Sequence, residues 1–68
     1  MGLKYLVRGT KGVEEFDGPE RTAAHIAWQY NLNVYDADRM LKYIQELGPG
    51  VQLIDYVHEF SVDCWEAR

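Results

Sequence analysis

The chain should fold as an α+β domain in which a three-stranded, mainly antiparallel sheet carries two helices on one face, in the order ββααβ. Three observations predict this. A short alternating segment, Leu3 to Val7, runs into the compact turn Gly9-Thr10-Lys11-Gly12. Two stretches with helical spacing are set off by Asp17-Gly18-Pro19 on one side and Gly48-Pro49-Gly50 on the other. From Val51 to Trp65 there is no Gly, Pro or Asn, and the pattern repeats with a period of two. At 68 residues the chain has room for one domain, residues 1–68, and one core. With 47% apolar and 26% charged residues it has the balance of a chain that folds.

In the first element Leu3, Tyr5 and Val7 alternate with Lys4 and Arg8, and the glycine-bracketed turn leads into Val13 to Phe16, which reads as a β-hairpin. Leu6 interrupts the alternation. Pro19 and Glu20 then suit a first helical turn, where a fixed φ and a negative charge near the positive end of the dipole are both favourable. This helix should run to Tyr30, with Asn31 as its stop. Ala23, Ile26, Ala27 and Tyr30 form one stripe, but Ala24 and Trp28 make the other side apolar too. Trp28 therefore either closes the core or is offered to a partner.

The second helix should start at Asp36 as N-cap, with Tyr35 and Met40 placed as a hydrophobic staple. Its buried stripe is Ala37, Met40, Leu41, Ile44 and Leu47. The last segment reads as one long strand bent near Glu59. Ile54, Tyr56, His58, Phe60, Val62 and Cys64 then point inward, and Asp55, Val57, Glu59, Ser61 and Asp63 point outward. Strand order stays open: the last strand can pair antiparallel with the second or, through a right-handed crossover, parallel with the first.

The residues exclude several chemistries. Cys64 is the only cysteine, so neither an intrachain disulfide nor a thiolate zinc cluster can form, and a reducing, cytoplasmic location is expected. No segment has the apolar run of a signal peptide or a membrane span, so no membrane partner is expected. The glycine turn lacks the spacing of a phosphate-binding loop, and Glu14 and Glu15 follow where a helix should open. On one straight strand His58 and Cys64 stand roughly 20 Å apart, too far to share a metal or act as a nucleophilic pair. Asp36-Ala37-Asp38 lacks the later ligands of a calcium loop. We expect no catalytic residue, no cofactor and no metal.

Charge is the remaining signal. The net charge is −4, with carboxylates concentrated after the first turn and in the last segment. Such a surface repels phosphates, so direct nucleic-acid binding is not expected, and a basic protein surface is the natural partner. The candidate partner-binding residues are Glu14, Glu15, Asp17 and Glu20 from the hairpin and helix start, and Asp55, Glu59 and Asp63 from the last strand. The last three recur every four residues, about 13 Å apart. An ordinary solvated face that keeps a small protein soluble has the same composition.

In size, acidity and carboxylate-bearing sheet the chain resembles the small phage-encoded anti-CRISPR and DNA-mimic inhibitor proteins. The resemblance is one of type and rests on no shared motif. It implies an inhibitor that occupies a Lys- and Arg-rich nucleic-acid-binding surface, such as a CRISPR effector complex of the type I Cascade kind, inside a bacterial host. A monomer is the expected form. The alternative is a non-enzymatic interaction or regulatory module that binds through an apolar patch around Trp28, or a homodimer.

Overall fold

The computed structural model describes residues 2–67. In chain order the elements are β1 (Gly2–Gly9), β2 (Gly12–Phe16), α1 (Pro19–Gln29), α2 (Val34–Glu46), β3 (Gln52–Asp55) and β4 (Phe60–Ala67). The sheet has four strands, not three, in the order β2-β1-β4-β3, and every neighbouring pair is antiparallel. The expected α+β class and the two helices on one face hold; the single long last strand does not.

The correction has a local cause. At Asp55 the chain reverses. The Asp55 carboxylate accepts from the N–H groups of Val57 and His58, both at 2.9 Å, and its other oxygen lies 3.1 Å from His58 Nδ1. The Glu59 N–H donates to the Asp55 carbonyl at 2.9 Å, and Glu59 takes a left-handed φ of 62°. A side chain thus makes the turn that Gly, Pro or Asn would ordinarily signal. The returning strand β4 fills the slot between β1 and β3, so the final strand pairs antiparallel with the first, from Gly9↔Phe60 to Gly2↔Ala67.

The first hairpin follows the expected pattern. Gly12 adopts φ 124°, which an L side chain resists, and β2 pairs with β1 from Gly9↔Gly12 to Tyr5↔Phe16. Helix α1 ends as expected, with Tyr30 as C-cap and Asn31 in the left-handed region at φ 53°. Helix α2 begins earlier than expected. Asn33, not Asp36, is the N-cap, its side chain accepting from the Asp36 N–H at 2.8 Å, which places Asp36 in the first turn.

The core lies between the helices and the helix side of the sheet. Tyr5 and Val7 from β1, and Phe60, Val62 and Cys64 from β4, meet Ala23 and Ile26 of α1 and Met40 and Ile44 of α2, with Leu47 just beyond. Burying Ile26, Ile44 and Val62, each fully enclosed, contributes about 1.5–3 kcal/mol apiece. Cys64 is part of this packing. Burial pushes its thiol pKa up, and Sγ faces the Leu47 carbonyl at 3.8 Å.

Candidate functional site

The predicted partner-binding carboxylates do not share one surface. Residues directly opposite in an antiparallel pair share a side of the sheet. Glu15 stands opposite Leu6, and Asp63 opposite Leu6 and Gln52, so both lie on the open side, away from the helices. Glu14 stands opposite buried Val7 and has the helix-side parity. Asp55 pairs with buried Phe60 and also lies on the helix side, three-quarters or more enclosed, with its side chain committed to the turn. Glu59 is in that turn, Asp17 lies beyond the end of β2, and Glu20 is in the first turn of α1.

Cations take up several of these charges. Lys4 Nζ reaches Asp17 at 2.7 Å and Glu15 at 3.6 Å, and Arg8 meets Asp63 at 3.5 Å. The hydrogen bond from Lys4 holds the Asp17 carboxyl below its usual pKa, and the same bond raises that of Lys4. Burial works to raise the Asp55 pKa, but the donors from His58 and Val57 outweigh it and hold the carboxyl below the ordinary value. Among the described residues, no three His, Cys, Asp or Glu side chains converge as a metal site. No helix among them is long and apolar enough to cross a membrane.

A second feature of the molecule is apolar. Among the described residues, the large apolar side chains that stand furthest into solvent are Trp28 (78% exposed), Val34 (82%), Tyr35 (82%), Tyr56 (83%) and Val57 (84%). They come from the end of α1, the start of α2 and the turn between β3 and β4, which the fold brings to one end of the molecule. Lys11, in the β1–β2 turn, and Gln29, beside Trp28, exchange hydrogen bonds at 3.0 and 3.2 Å. The Tyr30 ring stacks on Phe60 at 4.7 Å and meets His58 edge-on at 6.0 Å. A cleft of about 260 Å³ is lined by Leu32, Asp36 and Arg39 on the helix side and by Val57 and His58 on the turn side. The loop end is therefore held by specific contacts while its apolar side chains face outward.

Gly9 tightens this end further. A Cβ there would stand 2.7 Å from Tyr30 Oη and 2.8 Å from the Glu59 carbonyl oxygen and from Phe60 Cβ, so only glycine lets the three loops close on one another. On the side away from the helices an open groove of about 650 Å³ runs past Arg8, Thr10, Ile54, Tyr56 and Ser61.

Comparison with protein-family models, with curated proteins and with solved structures finds no match for this chain.

Proposed function

We propose that the chain is a non-enzymatic protein-interaction module that binds a partner protein through its loop end, with Trp28, Tyr35 and Tyr56 as anchors. The observation that carries this is that its most exposed large apolar side chains stand at the end of α1, the start of α2 and the β3–β4 turn, elements that meet at one end of the fold. Isolated surface aliphatics are ordinary, but one Trp and two Tyr exposed at the same end, with polar Asn33, Arg39 and Glu59 on or beside the same elements, have the composition of an interface centre with a polar rim. Aromatic anchors lose few rotamers on docking, and the closed loops beneath them are already ordered, so association costs less conformational entropy.

The reading as an acidic inhibitor of a nucleic-acid-binding protein, a CRISPR effector included, is a second proposal that the net charge of −4 supports. Glu14, Glu20 and Glu59, which make no ion pair among the described residues, would be its contacts.

Affinity capture with immobilised wild-type chain and two variants, Trp28→Ala/Tyr56→Ala and Glu14→Lys/Glu20→Lys, tests both. For the loop-end interface, the partner is retained through a rise in salt and lost with the aromatic double variant. A partner lost with the charge-reversed variant and eluted by salt overturns it in favour of the acidic inhibitor.

A further inference from the structure

Among the described residues, nothing covers the side of the sheet opposite the helices. Its residues follow from the register: Val13 and Glu15 on β2, Lys4, Leu6 and Arg8 on β1, Ser61, Asp63 and Trp65 on β4, and Gln52 and Ile54 on β3. None of them is buried, whereas the alternate residues of β1 and β4 form the core. We infer that this open face is the docking surface for a second copy of the same chain, giving a symmetric dimer with the two sheets stacked and the helices outside.

Charge favours that occupant. Lys4 and Arg8 on β1 stand among Glu15, Asp63 and Asp17, which pairs with Lys4 at 2.7 Å, so the charges of the face nearly cancel and most of the net charge of −4 resides elsewhere. Two identical acidic molecules repel one another wherever their excess carboxylates meet. The open face, where cations and carboxylates nearly cancel, is where they can approach with the least of that cost. Asp63 enters the contact already satisfied, by Gln52 Nε2 at 2.8 Å and by Arg8 at 3.5 Å.

The face also matches itself under a two-fold rotation. A two-fold interface needs a surface that matches itself after rotation. The order β2-β1-β4-β3 has two strands on each side of its midline. A two-fold axis along the strands at that midline lays β1 over the partner's β4 and β2 over the partner's β3. Row by row this brings Val13 to the partner's Ile54, Glu15 to the partner's Gln52, and Lys4 to the indole of the partner's Trp65. Val13 and Ile54 are both exposed in the single chain and share one row, through Arg8↔Val13, Arg8↔Ser61 and Ile54↔Ser61. An ammonium over an indole is a favourable contact of its own.

The strand edges serve a second copy less well. β3 has only four residues, and β2 places two carboxylates on its edge, both recognised ways of blunting edge pairing. With four strands about 4.8 Å apart and up to eight residues at about 3.3 Å each, the face spans roughly 19 by 26 Å. That is smaller than the area of about 800 Å² per partner in a standard interface, so the dimer is weak and dependent on concentration.

Analytical ultracentrifugation over about a hundredfold concentration range tests this. The wild-type chain should pass from monomer to dimer, and Ile54→Glu should weaken the dimer about tenfold or more while circular dichroism shows an unchanged fold. Val13→Lys combined with Ile54→Glu should restore it, because the new charges meet only across the two-fold. Trp28→Ala should leave it intact, which separates this surface from the loop end. A chain that stays monomeric throughout overturns the inference. So does a dimer indifferent to Ile54→Glu, one lost with Trp28→Ala, or one that the double variant fails to restore.

Discussion

The two hairpins reach the same end of the molecule by different means. The turn between β1 and β2 relies on backbone freedom, with Gly9 making room for Tyr30 and Gly12 at φ 124°. The turn between β3 and β4 relies on a side chain, the Asp55 carboxylate, which collects the Val57 and His58 donors and lets Glu59 sit at φ 62°. The glycine turn presents little beyond Thr10 and Lys11. The carboxylate turn presents Tyr56 and Val57, both four-fifths or more exposed. A turn held by a side chain leaves its tip free to carry large residues, and it ties the presentation of those residues to one ionisable group.

Removing that group should have the largest effect. Asp55→Ala deletes three hydrogen bonds in a mostly enclosed setting and should destabilise the fold by about 3 kcal/mol in urea denaturation. Asp55→Asn keeps an acceptor for the two backbone N–H groups and should recover about half of that loss. Recovery to the wild-type value would show that the charge contributes nothing. Gly9→Ala comes next, at about 2 kcal/mol, because its Cβ would press on the Glu59 backbone and Phe60 as well as on Tyr30.

The two turns should also differ in their response to acid. The Asp55 carboxyl is held below its ordinary value of 3.8, so its contribution is fully present above that pH and is lost as the pH falls through the lower folded value. Denaturation midpoints measured from about pH 5 down to about pH 2 should fall for the wild type and fall less for Asp55→Asn. An equal fall in both would place the acid sensitivity elsewhere.

At the small end, Glu59→Gly should stabilise the fold by about 0.5–1 kcal/mol, since glycine takes a left-handed φ without the clash that glutamate bears. Thermal melting resolves a change of that size. Tyr56→Ala should move stability by no more than about 0.5 kcal/mol while abolishing partner capture, which would divide the turn's scaffold from its exposed tip.

The same contrast explains what could be read from the residues alone. The first hairpin, the end of α1 at Asn31 and the buried stripe of α2 were legible because glycine freedom, capping and helical periodicity are local properties. The second turn was hidden because it is made by the Asp55 side chain bonding donors two and three residues on, without Gly, Pro or Asn. Missing it inverted the parity of everything before it. The step from Asp55 to Phe60 is odd, so Leu53 and Asp55 face the helices along with Phe60 and Val62, and Ile54 faces outward. That inversion also removed Asp55 from the expected acidic face. The fact that an Asp side chain often bonds backbone N–H groups a few residues on could have flagged it. Charge totals carry no such directional information: they revealed the excess of carboxylates but not that Lys4 and Arg8 stand among them.

The pairing of Gly2–Gly9 with Phe60–Ala67 has a consequence for how the protein is made. The two strands at the centre of the sheet are the first and the last in the chain, so a growing polypeptide can form its first hairpin and both helices but has no middle to its sheet until Phe60–Ala67 emerges. Assembly waits on the contact of greatest sequence separation, whose loop-closure entropy sets in before any core forms. A nascent chain halted within α2 would lack Phe60, Val62 and Cys64, the β4 share of the core around Tyr5 and Val7.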